Sequence, residues 1–325
     1  SLWQDRTRTE VGVGWWRHIT EALDKARVLV LVMTSAAMQS TISRKEWRYA
    51  RQQGLCVYPV KGVADTEFDW ANMPRWMSKA HFFDLDREWD TFINHLKSPC
   101  QAVRVPFMAP DLPEGFVERP ALFEQLMGQL LDTKRENPVA ITTSLHGAGG
   151  LGKTTLAAAL CHHDDVLTAF DDGVLWITLG QTPQIQAGLA KLYAALTGEY
   201  PGFIDEEDAA FHLAQKLEDK SCLIVLDDVW DAAHLQLFLR GASYCTRLIT
   251  TRNFDIAADT ERVNVDEMTL DEAVQMLTTR LLTPVGDYTP FRELAQRLGE
   301  WPLLLELATG TLRQLVARGD TLTGA

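Results

Sequence analysis

Apolar and polar positions along this chain follow a helical period, then a strand-like run, and then repeat. From Trp15 to Lys25 the residues Trp15, Ile19, Ala22 and Leu23 fall on one helical face. Val28-Leu-Val-Leu-Val-Met33 is apolar throughout, as expected of a short strand buried on both faces. A loop is expected over Thr34–Ser43, then a helix over Arg44–Gln53 that Gly54 stops. A strand over Leu55–Val60 and a short closing helix over Trp89–Leu96 complete the block. Ala64–Lys79 has no clear period and reads as a long loop.

Val103–Gly115 holds three prolines and reads as an extended linker. Beyond it the alternation resumes, with strands expected over Val139–Leu145, Val174–Leu179, Cys222–Leu226 and Thr246–Thr250 and helices between them. After about residue 266 the pattern becomes all helical, over Leu270–Leu282, Phe291–Leu298 and Leu303–Val316. Alternation of this kind implies parallel sheets with helices on both faces. The expected fold is therefore α/β, with two successive parallel-sheet domains and a small helical subdomain. The divisions fall at residues 1–98, a linker over 99–114, then 115–265 and 266–325.

Composition adds bounds. The chain has 325 residues, 46% hydrophobic and 23% charged, enough for more than one core. A net charge of −13 weighs against nucleic acid as a partner. The five cysteines, Cys56, Cys100, Cys161, Cys222 and Cys245, are scattered without C-x-x-C spacing, which fits a reducing cytoplasm. No apolar run has the length of a membrane span, so no membrane partner is expected. Seven of the ten tryptophans precede residue 100, and without a basic stripe they read as packing residues. The chain opens on Ser1-Leu-Trp-Gln-Asp5, which reads as the end of a strand, so it is expected to begin inside a domain.

Gly147-Ala-Gly149-Gly150-Leu-Gly152-Lys153-Thr154-Thr155 fits G-x-x-x-x-G-K-[ST] and lies between an expected strand and a strong helix former. Its glycines let backbone N–H groups turn toward a phosphate, and the helix start adds its positive dipole end. Lys153 would reach the β/γ-phosphates and Thr154 would ligate Mg²⁺. Cys222-Leu-Ile-Val-Leu-Asp227-Asp228 supplies a buried strand and two carboxylates at its end. Asp227 would hold Mg²⁺ and Asp228 would polarise a water. The plainer reading is a helix cap for residues 231–240. Arg252 ends a further strand, as a γ-phosphate sensor or as a solvated arginine. Pro302 reads as a helix start, and His162-His163-Asp164-Asp165 as a helix end rather than a metal site.

GAGGLGKTT, CLIVLDDVW, LITTR and EWPLLLELA together resemble the NB-ARC class of STAND ATPases over about residues 115–325. That resemblance implies an ATP/ADP switch and a Mg²⁺ site. Lys153, Thr154, Asp227, Asp228 and Arg252 match the family's phosphate loop, acidic pair and first sensor. Pro302 would pack on adenine. Val117-Glu118-Arg119 resembles the entry motif, which brings Arg119 into the nucleotide site. Glu118 stands where Gly is usual and Trp301 where Leu is usual. In the family a Met-His-Asp motif and a sensor array follow. The chain is thus expected to be a piece of a longer protein, with a trigger ligand sensed by a C-terminal region.

In the first block, Glu46 opens a helix beside the C-terminal end of a strand, where ligand crevices form. The plainer reading is a first-turn acid that complements the helix dipole. Leu2–Asp5, Gly12–Ile19, Val28–Thr34, Glu46–Arg51 and Cys56–Val60 resemble, in order, a TIR domain from its second strand to its last helix. Many TIR domains hydrolyse NAD⁺, and Glu46 matches their catalytic carboxylate. Asp5, Gly12, Gly14 and Trp15 are NAD-binding candidates by the same likeness. Some members carry Trp where this chain has Ile42.

The expected function is nucleotide-gated defence signalling. Homo-oligomerisation through NB-ARC and TIR contacts would switch on NAD⁺ cleavage. The alternatives are a non-enzymatic TIR scaffold under an ATP/ADP switch and a DNA-binding regulator.

Overall fold

Hydroxyl caps decide how the chain turns after its first strand. In the computed structural model, which describes residues 13–61, 73–74, 76–77, 80–100, 102, 104–132, 139–142, 149–257, 261–281 and 286–318, α1 (Val13–Lys25) leads into β1 (Val28–Met33). Residues 34–43, expected as a loop, are largely helical. Thr34 Oγ1 accepts the Ala37 N–H at 3.1 Å and starts α2 (Ser35–Gln39). Ser40 Oγ accepts the Ser43 N–H at 3.2 Å and starts α3 (Thr41–Gln52). Short hydroxyl residues that resemble loop formers in the sequence serve here as N-caps. Gly14 and Trp15 both lie in α1, which starts two residues before the expected Trp15.

β2 (Cys56–Lys61) pairs in parallel with β1, Val28 opposite Cys56 and Met33 opposite Lys61. Phe83 adds a parallel bridge to Val60, and Asp84 caps α4 (Leu85–Lys97). Ile19 and Leu23 pack with Ala50 and Leu55, Leu31 and Met33 with Trp47 and Met77, and Val60 with Phe83 and Phe92. Cys56 and Cys100 form a disulfide with Cα atoms 6.1 Å apart, tying β2 to the chain beyond α4. This departs from the expectation of unpaired cysteines in a reducing cytoplasm, because the two cysteines lie far apart in sequence and only the fold brings them together. Cys161, Cys222 and Cys245 are buried free thiols. The long loop expected over Ala64–Lys79 lies mostly outside the described residues.

The second unit follows as α5 (Pro120–Leu130), β3 (Val139–Thr142), α6 (Lys153–His162), α7 (Asp164–Ala169), β4 (Gly173–Gly180), α8 (Ile185–Thr197), α9 (Glu206–Leu217), β5 (Cys222–Val229), β6 (Thr246–Thr251) and β7 (Glu261–Asn264). The strands form one parallel sheet in the order β4-β5-β6-β3-β7. Along β5, Leu223 and Val225 join the core that includes Leu126, Leu156 and Leu160, whereas Ile224 and Leu226 join the core of Leu189, Leu192 and Leu213. The continuous apolar run thus feeds both faces of a covered sheet. β7 was not anticipated, and residues 232–235 form a short 3-10 turn where the alternative reading had a helix.

α10 (Leu270–Thr278), α11 (Thr289–Arg297) and α12 (Pro302–Ala317) enclose a separate core of Val117, Ala273, Val274, Leu277, Phe291 and Leu305. Thr269 and Glu272 form a capping box at the start of α10. No helix among the described residues is long and apolar enough to cross a membrane.

The proline-rich connection does not hang free. Pro106 and Met108 exchange hydrogen bonds with Val174 (both 2.9 Å), so the connection adds a short bridge to the edge of β4. Gly173 makes this possible. Its φ is +121°, and a Cβ there would lie 2.5 Å from the Pro106 carbonyl oxygen. Gly173→Ala should therefore lower the unfolding free energy by about 2 kcal/mol or more in urea titration, through strain and clash together. A stability equal to the wild type would show that the connection does not rest on this glycine.

Candidate functional site

Three strand ends converge at one edge of the five-stranded sheet. β3 leads toward the phosphate-loop sequence, β5 ends in Asp227 and Asp228, and β6 ends beside Arg252. β3 lies between β6 and β7 although β4 and β5 intervene in sequence, so the strand order reverses there, and such reversal points open ligand crevices at strand C-termini.

Asp227 is the best-held group at that edge and is only 4% exposed. Its Oδ1 accepts from Thr154 Oγ1 and Thr250 Oγ1, both at 2.7 Å, and its Oδ2 accepts from Thr178 Oγ1 at 3.1 Å. Thr178 lies directly opposite Asp227 in the β4–β5 register, and its hydroxyl in turn accepts from Trp176 Nε1 at 3.3 Å. The Thr154 hydroxyl and the Asp227 carboxylate are hard oxygen donors already in contact. That donor set fits Mg²⁺, which keeps most of its waters and takes one or two protein oxygens.

Asp228 faces another way. A bulge interrupts the β5–β6 register here, and Asp228 adopts φ +52°, a left-handed conformation that Asp tolerates. Its N–H donates to Thr250 Oγ1 at 2.9 Å, and its Oδ2 accepts from Trp230 Nε1 at 3.1 Å. Its Oδ1 lies 3.6 Å from Arg252 Nε, and the Arg252 guanidinium stands over the Trp230 ring at 5.4 Å. Arg252 also closes on the phosphate loop, since a Cβ at Gly149 would lie 2.6 Å from Arg252 Nη1. Glycine at 149 is what lets the cation approach.

Gly152 caps α6 in a left-handed conformation (φ +88°), and Lys153 begins the helix buried beneath the loop. Burial, helped by Arg252, draws the Lys153 ammonium below its usual pKa, with Asp228 and Asp227 opposing. An anion at the loop would relieve this concentration of positive charge. α12 grips the same loop. The Trp301 indole N–H donates to the Gly149 carbonyl at 3.0 Å, and the Leu303 N–H donates to the Gly150 carbonyl at 3.1 Å. In planar trans peptides those carbonyls turn the N–H groups of Gly150 and Leu151 to the opposite side of the loop. Pro302, at the first turn of α12, is buried between these two contacts. Thr155 lies in the first turn of α6, and Gly147 is outside the described residues.

Arg119 is buried, with its guanidinium turned to the carbonyls of Leu151 (3.3 Å), Asp266 (3.1 Å) and Glu267 (2.6 Å) and paired with Glu272 at 3.5 Å. Burial lowers its pKa and Glu272 opposes the shift. The side chain thus braces the phosphate loop against the start of α10. Among the residues that frame the site, sequence reasoning missed Thr178, Trp230, Thr250 and Glu272. Thr250 stood in the quoted LITTR string but drew no role, and Thr178 carried no signal.

Glu46 lies in the second turn of α3 and is half-buried. Arg44 fastens α3 to the preceding short helix by donating to the carbonyls of Met38 (3.1 Å) and Gln39 (3.3 Å). Gly14 and Trp15 are in α1, while Asp5 and Gly12 lie outside the described residues. The described residues therefore assemble the phosphate-loop site far more completely than the surroundings of Glu46. The histidine pair sits at the α6–α7 junction, where His162 ends α6 and its ring Nε2–H donates to the Pro110 carbonyl at 3.0 Å, and His163 caps α7.

Comparison with known proteins finds two domain families in the chain. The family model described as NB-ARC domain matches residues 120–282, half of the chain, and the model described as TIR domain matches residues 1–97. The chain is similar to the regulatory protein AfsR of Streptomyces griseus, 28% identical over 190 residues, covering 56% of this chain and 19% of AfsR. It is also similar to "Probable disease resistance protein RF9" of Arabidopsis thaliana, 30% identical over 213 residues, covering 60% of this chain and 19% of that protein. The aligned region is thus about a fifth of each relative's length. A chain from the structure of Drosophila ORC bound to DNA superposes with a TM-score of 0.43 at 13% identity over 73% of this chain and 70% of that one, too remote to bear on function.

Thr250 holds both carboxylate residues through one hydroxyl. Thr250→Val keeps the shape and leaves the Asp228 N–H short of its acceptor, so unfolding in urea should fall by about 1–3 kcal/mol. Thr250→Ser should lose less than the valine variant. Equal stability of wild type and the valine variant would contradict this role.

Proposed function

Since the chain belongs to the NB-ARC family and carries a TIR domain ahead of it, we propose that it is a defence-signalling protein in which nucleotide occupancy gates NAD⁺ cleavage. The observation that carries this reading is the joint placement of Lys153, Thr154, Asp227 and Arg252 at one sheet edge in a chain that also contains Glu46. The disease-resistance relative supports the defence role.

The nucleotide part suits a switch. The loop amides and Lys153 would bind the phosphates of ADP or ATP, and Arg252 would meet the terminal one. Bound Mg²⁺ would neutralise phosphate charge beside Thr154 and Asp227. Asp228 is engaged by Trp230 and Arg252, so in this arrangement its carboxylate is turned to those partners rather than to an attacking water. That favours slow hydrolysis and long retention. Pro302, held between two contacts to the loop, would border the base, with Arg119 bracing the loop from beneath. ATP-driven self-association of the NB-ARC and TIR parts would follow in response to a trigger ligand.

At Glu46 the chemistry needs one carboxylate. The C–N bond between ribose and nicotinamide breaks, nicotinamide leaves with the bonding pair and becomes neutral, and the ribose passes through an oxocarbenium-like state. Glu46 would stabilise that positive charge. Water then adds at the anomeric carbon and loses a proton, giving ADP-ribose, nicotinamide and H⁺. Asp5, Gly12, Gly14 and Trp15 are proposed to border this site. The competing reading is a TIR scaffold without chemistry, which keeps the nucleotide switch and drops the cleavage.

Two substitutions test the two halves. Lys153→Ala should weaken ADP and ATP binding by roughly tenfold to hundredfold in equilibrium dialysis while circular dichroism stays unchanged. Undiminished binding would exclude Lys153 from the phosphate site. In the assembled, ATP-loaded protein, Glu46→Ala should cut NAD⁺ turnover, followed by chromatography, by roughly 10²–10³-fold. Turnover that persists would refute the role of Glu46, and intact NAD⁺ with the wild type would favour the scaffold.

A further inference from the structure

Three consecutive carbonyls of the phosphate loop accept hydrogen bonds from outside the loop. Trp301 Nε1 donates to Gly149 at 3.0 Å, the Leu303 N–H to Gly150 at 3.1 Å and Arg119 Nη1 to Leu151 at 3.3 Å. In a planar trans peptide the carbonyl of one residue and the N–H of the next point opposite ways. Holding these carbonyls therefore aims the N–H groups of Gly150, Leu151 and Gly152 each away from its peptide's donor. The left-handed φ values of Gly150 (+74°) and Gly152 (+88°) let successive amides curve around an anion.

The three donors are not alike. Leu303 donates through its backbone, which any side chain at that position would leave in place. Arg119 divides its guanidinium between Leu151, the carbonyls of Asp266 and Glu267, and the Glu272 carboxylate. Trp301 gives its one indole N–H to Gly149, and an indole is a donor only. Leucine, the residue usual at this place in the sequence motif, has no donor to offer. The Trp301 ring is half-buried and packs against the core that holds Leu126, Leu156 and Val174, so its N–H is held in one place.

The turn that presents Trp301 carries a conformational cost. α11 closes in a Schellman motif, with the Gly299 N–H on the Gln296 carbonyl and the Glu300 N–H on the Ala295 carbonyl, both at 3.1 Å, and Gly299 at φ +64°. Glu300 then adopts φ +49°, a second left-handed residue in succession and one that bears a Cβ. Its carbonyl accepts the Met268 N–H at 3.0 Å, next to the Asp266 and Glu267 carbonyls that hold Arg119. Strain of this kind persists where the surrounding contacts fix it, and it collects at ligand sites. Here the residue that follows the strained one is Trp301.

We propose that Trp301 is a positioning residue for the phosphates, whose indole N–H fixes the Gly149–Gly150 peptide so that the Gly150 N–H meets a phosphate oxygen. This rests on the reading of the loop as a phosphate site. One peptide group carries both contacts, the indole on its carbonyl and the phosphate on its N–H. A hydrogen bond at either end polarises the peptide and strengthens the other. By linkage, the factor by which the indole favours phosphate equals the factor by which phosphate favours the indole contact. Trp301 thus acts on the phosphates, whereas its neighbour Pro302 is the residue proposed to border the base.

The test uses the full chain with ADP and with inorganic pyrophosphate, which has the phosphates and no base. Trp301→Phe keeps an aromatic ring and removes the donor. It should weaken both ligands by one common factor, roughly fivefold to tenfold, in equilibrium dialysis. Unchanged affinity for both, or a loss for ADP with pyrophosphate unaffected, would overturn the proposal. A measurement on the wild type covers a variant that fails to fold. The Trp301 indole N–H resonance, assigned by triple-resonance NMR, should move downfield as pyrophosphate binds, because its hydrogen bond to Gly149 strengthens. A resonance that stays in place while pyrophosphate binds would also overturn it. Wild-type protein that binds neither ligand would reject the phosphate site itself, and the role of Trp301 with it.

Discussion

Asp227 is the constraint on which the nucleotide site depends. One buried carboxylate gathers hydroxyls from the first turn of α6, from β4 and from β6. A charge so placed is tolerable only when hydrogen bonds surround it, so the three elements are fixed relative to one another by the cost of leaving it unpaired. The same carboxylate sets where a hard cation would sit. Structural order and ligand chemistry at this edge therefore share one cause.

Around that anchor, cations are held in place by groups other than phosphate. Asp228 and Trp230 hold Arg252 against the loop, while Trp301 and Leu303 attach α12 to the loop's carbonyls. The helical subdomain and the acidic pair thus contact the loop from different sides. Any ligand that draws Arg252 away from Asp228, or moves the loop under α12, alters contacts between subdomains. The proposed nucleotide switch would act through these contacts.

The element pattern was legible where burial is uniform. β4 and β5 are apolar runs covered on both faces, and they read directly as strands. β7, Glu-Arg-Val-Asn, buries only Val263 and carries no such signature. α2 was hidden because Thr34 and Ser40 look like loop residues until their hydroxyls are seen to cap. The phosphate loop and Asp227 were legible as candidates because local spacing encodes them, whereas spacing alone left Arg252 a solvated arginine and only the family resemblance made it a candidate. Thr178 was not, because only the parallel register of β4 against β5 sets it beside Asp227. The contacts of Arg48 with Asp164 and Thr168 span more than 110 residues of sequence, and no local pattern reports them.

The central claim is that this sheet edge binds a polyphosphate together with a divalent cation. Isothermal titration calorimetry of the nucleotide-stripped chain tests it most directly. The account predicts saturable heat at about one nucleotide per chain for ADP and for ATP, with tighter binding when Mg²⁺ is present. An absence of heat from either nucleotide, with and without Mg²⁺, would contradict it.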